Sequence, residues 1–177
     1  MANSYAFESV LPINQTADSL LNICLPAKTI YMKLLFAAIS GLLISLSINW
    51  ENDFSRAQQT ATATHKYILL NFSGSDWCGP CIRLHKEVFE TPGFAAFANE
   101  HLVLVNADFP RQKKNQLSKT LQLQNDQLAD KYNAGGSFPY TVLLTADGKP
   151  IQAWEGFPKQ GVTAFINELK QATHAGN

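Results

Sequence analysis

With 177 residues, 46% of them apolar and 16% charged, the chain is long enough to bury a sizeable core and suits one globular domain with an extension. Its 14 basic residues balance 14 acidic ones, so no overall field draws it to nucleic acid or to an anionic membrane, and nucleic-acid partners are not expected. Three cysteines are too few for a disulfide-stapled scaffold.

In chain order, the first segment of note follows Met32-Lys33. Leu34 to Ile48 is uncharged and apolar, the layout of a secretory signal peptide beginning at Met32. The stretch is shorter than the roughly 20 residues of a comfortable transmembrane helix, so an uncleaved anchor over 34–48 is the alternative. Residues 1–31 carry Pro12 and Pro26 without a sustained apolar period. They read as a disordered leader ahead of the natural start, and Cys24 within them has no assigned role. The expected organisation is leader 1–31, signal peptide or anchor 32–48, and a globular domain over 49–177.

Asp53 is a candidate N-cap for a helix from Phe54 to Ala61. Tyr67 to Phe72 is short, apolar and β-prone, and Ser73-Gly74-Ser75 ends it in a turn, which predicts a buried strand. Asp76-Trp77 and Cys78-Gly79-Pro80-Cys81 follow, and Ile82 to Phe89 has helical character. Cys78 therefore falls at a strand-to-helix junction, where free N–H groups and the positive end of the helix dipole favour a thiolate. This position makes Cys78 the expected nucleophile and the more covered Cys81 the resolving residue. Pro80 fits the first helical turn and, with Gly79, tunes the pair.

Thr91-Pro92-Gly93 is expected to break the pattern before a short helical turn over Phe94–Ala98. Leu102 to Ala107 reads as a central parallel strand buried on both faces. Arg111, Lys113 and Lys114 read as a solvated face. A further helix is expected with Asn125 or Asp126 as N-cap and Leu128, Ala129 and Tyr132 facing inward, ended by Gly135-Gly136-Ser137. Tyr140–Thr145 and Pro150–Trp154, joined through Asp147-Gly148, read as a hairpin, and Phe165, Ile166 and Leu169 belong to a closing helix.

Trp77-Cys78-Gly79-Pro80-Cys81 behind an apolar strand resembles the active site of thioredoxin. With Gly74-Ser75-Asp76 before it and Phe89 to Phe94, Asp108-Phe109-Pro110 and Phe138-Pro139 after it, the pattern is similar to secreted bacterial thioredoxin-like proteins of the disulfide-interchange group, over roughly Trp50 to Ala172. The resemblance implies an α/β thioredoxin-like fold, a mixed central sheet of four to five strands with helices on both faces. It implies a thiol–disulfide oxidoreductase without cofactor or bound metal, acting on protein substrates in the periplasm or cell envelope. A membrane disulfide-interchange protein would be its electron donor. Gly-Pro between the cysteines resembles the reducing members. Pro139 matches the cis-proline that faces the cysteine pair, and Phe138 would offer backbone hydrogen bonds to an extended substrate. Trp77 would either line that surface or simply cover the core.

Three alternatives accompany this expectation: a disulfide isomerase or oxidase of the same fold, a redox-inactive interaction module, and a copper or zinc carrier using Cys78, Cys81 and His85. The carrier lacks a fourth ligand nearby, and His85 reads rather as an exposed or core-edge residue. Two departures from the family pattern stand out. Asn71 occupies the place of the buried acid that helps move the resolving cysteine's proton, and a neutral amide cannot serve as a base. Tyr140 replaces the usual threonine after the cis-proline, and Ser137 lengthens the loop before it.

Overall fold

The computed structural model describes residues 48–175. Residues 1–31 with Cys24, and the signal-like stretch up to residue 47, lie outside them. The strands are β1 (Trp50–Glu51), β2 (Tyr67–Ser73), β3 (Leu102–Asp108), β4 (Tyr140–Leu144) and β5 (Pro150–Glu155). The helices are α1 (Phe54–Thr64), α2 (Gly79–Leu84), α3 (Pro92–His101), α4 (Lys119–Tyr132) and α5 (Gly161–Ala175). A π-helical turn over His85–Phe89 prolongs α2. Among the described residues, no helix is long and apolar enough to cross a membrane.

The sheet order is β1-β3-β2-β4-β5; β1, β3 and β2 pair in parallel, and β4 runs antiparallel to both of its neighbours, β2 and β5. Side chains alternate across the pleat. Ile68, Leu70 and Phe72 face a core completed by Ala57 and Ala61 of α1 and Leu128 and Tyr132 of α4. Leu69 faces the other way, into a core with Leu84, Phe89, Phe94, Leu143, Phe165 and Leu169. A sheet apolar on both faces needs helices on both, and α1 and α4 cover one side while α2, α3 and α5 cover the other.

Local chemistry sets the helix limits. The Arg56 N–H donates to Asp53 Oδ1 at the start of α1, as expected. The short turn expected over Phe94–Ala98 is instead the full helix α3, because Pro92 sits in its first turn and Thr91 Oγ1 accepts from the Phe94 N–H. Neither Asn125 nor Asp126 caps α4. Ser118 does, accepting from the Leu121 N–H, and Asn125 lies buried inside the helix with its Nδ2 donating to the Asp108 carbonyl at 2.9 Å. The two-residue β1 was not predicted; it pairs with Leu104 and Val105.

Candidate functional site

Strand β2 ends at Ser73, and the chain turns back through Gly74 to start α2. The Cys78 N–H donates to the Gly74 carbonyl at 2.9 Å. A side chain at Gly74 would collide with the Trp77 indole, since a Cβ there would lie 2.3 Å from Cε2. Cys78 is the N-cap of α2: its Sγ accepts from the Cys81 N–H at 3.3 Å. Pro80 lies in the first turn, where its missing N–H costs no intrahelical bond. Cys78 and Cys81 form a disulfide with Cα atoms 5.2 Å apart. Cys78, expected to be the more open of the pair, is itself buried in this oxidised form: it is 5% and Cys81 2% exposed. The bond between the sulfurs and the tight Gly74–Cys78 turn leave little of either residue open. Gly79, Pro80 and Ile82, next to the two cysteines, are exposed, Ile82 at 47%.

Beside the cysteines, two distant loops meet. The Phe138–Pro139 peptide bond is cis. Because Tyr140 pairs with Phe72, this bond lies at the end of the sheet from which the cysteine turn departs. The Phe138 ring packs edge-on against Trp77 at 5.5 Å and against Phe109 at 5.4 Å. Trp77 Nε1–H donates to the Phe109 carbonyl at 2.7 Å, and the Arg111 guanidinium lies 3.6 Å from the centre of the Trp77 ring. Trp77 is half-buried and lines an open groove of about 510 Å³ with Phe109, Arg111, Gln116 and Phe138.

Asp76 ties this loop down. It accepts from the Arg111 and Gln112 backbone N–H groups, both at 2.9 Å, and from Asn115 Nδ2 at 3.0 Å. These bonds, the Arg111 amide foremost, hold its carboxyl below the usual carboxylate range. All three basic residues read as a solvated face are exposed, and Arg111 is in addition anchored through its backbone N–H and stacked on Trp77 through its side chain.

Beneath α2 runs a row of polar side chains across three strands. Register places Asn71 opposite Asn106 on β3 and Thr141 on β4. Asn71 Nδ2 donates to Asn106 Oδ1 at 3.0 Å, and Thr141 Oγ1 donates to Asn71 Oδ1 at 3.2 Å. Asn71 is 1% exposed, so its replacement by Ala should strand both partners and cost about 1–3 kcal/mol. Urea denaturation would measure it; an unchanged midpoint would mean that the row does not stabilise the fold.

Asn106 also lines a cavity of about 350 Å³ with Cys81, Ser73, Ser75, Ile82, His85, Lys86 and Glu90. His85 is the half-buried, core-edge residue expected. Its ring packs on Trp50 at 5.1 Å and edge-on against Phe89 at 5.6 Å, and its Nδ1 lies 3.9 Å from Glu90 Oε1. Burial lowers its pKa from the ordinary 6.5, opposed by the Glu90 and Asp108 charges. Among the described residues, no group of three or more His, Cys, Asp or Glu side chains is placed to hold a metal ion.

The sequence motif thus brings together Cys78, Cys81, Trp77, Gly79, Pro80, Phe138 and Pro139 at one end of the sheet. It missed Asp76, Arg111, Ile82 and Asn106. Asp76 and Arg111 gain their positions only through a contact more than thirty residues long in sequence; Ile82 carried one legible signal, an apolar residue directly after the second cysteine.

Comparison with known proteins agrees with this geometry. The thioredoxin-like domain family matches residues 54–173. The chain belongs to that family. Over 130 residues it is 33% identical to a Chlamydia pneumoniae protein named disulfide bond reductase DsbH, covering 73% of this chain and 75% of that one. A solved structure of a DsbH oxidoreductase superposes with a TM-score of 0.65 at 32% identity, covering 71% of this chain and 84% of that chain. A thioredoxin from Thermus thermophilus, 18% identical, shares the fold with a TM-score of 0.55 over 72% of this chain and 88% of its own. The family, the relative and the paired cysteines make the protein a thiol–disulfide oxidoreductase.

Proposed function

We propose that the protein reduces disulfides in exported proteins, with Cys78 as nucleophile and Cys81 as resolving residue. The observation that carries this reading is the Cys78–Cys81 disulfide at the start of α2, with the Cys81 N–H aimed at Cys78 Sγ. In the reduced protein that N–H would stabilise negative charge on the attacking sulfur. The Cys78 thiolate attacks a substrate disulfide, one substrate sulfur leaves as a thiolate, and a mixed disulfide forms. Cys81, deprotonated, then attacks Cys78 Sγ; the second substrate thiolate leaves and the internal disulfide closes. Two electrons pass from the protein to the substrate, and a donor dithiol must return them.

Trp77, Phe138 and the exposed Gly79-Pro80 edge form the surface next to the pair, an apolar platform for an extended segment of client protein. Phe138 supplies backbone groups to that segment, and Pro139, buried at the start of β4, sets its position. The reducing direction is supported by Gly79-Pro80 and by the relative named a disulfide bond reductase. An exported location, with a membrane disulfide-interchange protein as donor, is supported by the signal-like stretch behind Met32.

Trapping tests the assignment. Reduced Cys81→Ser protein mixed with a disulfide-bearing protein such as insulin should accumulate a covalent adduct through Cys78 that dithiothreitol releases. No adduct, with the fold intact, would remove Cys78 from the nucleophile's role.

A further inference from the structure

The proposed reaction leaves one proton without an acceptor. Cys81 must lose it before attacking, and Asn71, the only fully buried polar side chain of β2 beneath the helix besides Ser73, cannot take it. Three hollows lie around the cysteine turn: the Trp77 groove, the pocket by Trp50, and the cavity beside Cys81. The groove belongs to the client surface already described. The other two share His85 and Glu90, which line both, and of these only His85 is a base of the right strength that is held against the core.

We infer that His85 is the base that takes the Cys81 proton in the resolving step, directly or through a water in the cavity the two residues share. This rests on the exchange reaction proposed above. Cys81 and His85 are four residues apart on one continuous helical segment, α2 and its π-turn, so they lie on the same face one turn apart. The His85 N–H donates to the Cys81 carbonyl, which fixes the offset between them. Trp50 and Phe89 hold the ring from two sides. Glu90 Oε1 lies 3.9 Å from Nδ1, a contact beyond hydrogen-bond length, and the neutral ring keeps one nitrogen lone pair as its basic site. The charged groups around the ring are Glu90 and Lys86 on its own segment and Asp108 on β3. Burial outweighs the two carboxylates, so the imidazole is neutral at neutral pH and free to accept.

The step balances. The Cys81 S–H bond breaks and its proton passes to His85. The Cys81 sulfur bonds to Cys78 Sγ, the bond from Cys78 to the client sulfur breaks, and the client leaves as a thiolate that takes a proton from His85 or from water. Cys78 and Cys81 are oxidised together by two electrons, and the client disulfide is reduced by two.

A chromogenic aryl disulfide, dithiobis-nitrobenzoate, separates the steps in a stopped-flow experiment. Reduced protein should release one aryl thiolate as Cys78 attacks and a second as Cys81 resolves. In His85→Phe, which keeps the ring packing, and in His85→Gln, the second phase at neutral pH should slow by about 10²-fold, the usual contribution of a positioned base. Wild-type resolution should fall as pH drops through a midpoint below 6.5, where His85 becomes protonated, and the variants should instead need pH near that of a free thiol, about 8.5. A second phase with unchanged rate and pH profile in both variants, behind a normal first phase, overturns the role of His85 and leaves the exchange reading standing. A wild-type protein that releases no aryl thiolate at all overturns the exchange reading, and the role of His85 with it.

Discussion

Replacing Cys78 by Ser should bring insulin-disulfide reduction down to the uncatalysed background, a loss of about 10³-fold or more, because the thiolate nucleophile is gone and no other thiol lies in the described residues except Cys81. Cys81→Ser should behave differently. It keeps the attacking sulfur and loses only turnover, so it should form adducts yet fail to release them. The contrast depends on the position of the two sulfurs, one capping α2 and the other in its first turn. Equal adduct formation by both variants would mean that either cysteine can attack, and the division of roles would be wrong. Insulin turbidity and non-reducing gels on purified, reduced proteins provide both readouts.

Phe89→Ala should cost about 3–5 kcal/mol of stability, as expected for deleting a fully buried aromatic side chain. Phe89 is 0% exposed and stands at the centre of a ring cluster, 5.0 Å from Phe94, 5.1 Å from Trp50 and 6.4 Å from Phe165. These rings join the π-turn to β1, α3 and α5, so a cavity here loosens several elements at once. Against a typical total of roughly 5–15 kcal/mol, the loss is a large fraction of the fold's margin. The same ring backs His85 edge-on, so the variant should also disturb the cavity beside Cys81. Urea denaturation followed by tryptophan fluorescence measures the effect. A loss under about 1 kcal/mol would show that the site collapses around the deletion at little cost.

What the sequence made legible was whatever depends on near neighbours. The apolar run of β2, the Gly74 turn, the cysteine spacing and Pro80 in a first turn all act within a few residues, and the thioredoxin-like fold follows from them and from the order of elements. Capping of α4 was misread because Asn125 and Asp126 are cap-forming residues in a long polar stretch. Only the structure shows Asn125 turned inward to the Asp108 carbonyl and Ser118 as the cap. Strand β1 gave no signal because two residues carry no alternation; Trp50 and Glu51 become a strand through β3 alone. Asp76 and Arg111 look like ordinary surface charges until the loop after β3 folds onto the cysteine turn. The substitution at Asn71 was legible as the loss of an acid. What stood near the resolving cysteine in its place was not, since Asn106 and His85 reach that cavity from a different strand and from the helix above it.

Equilibration of the Cys78/Cys81 couple with glutathione buffers of graded ratio tests the reductase assignment most directly. A reducing enzyme should hold the pair as a disulfide until the buffer is strongly reducing, with a potential near that of thioredoxin, about −270 mV. A potential near that of the oxidising catalysts, about −120 mV, would mean that the protein donates its disulfide rather than its electrons, and would contradict the direction proposed here.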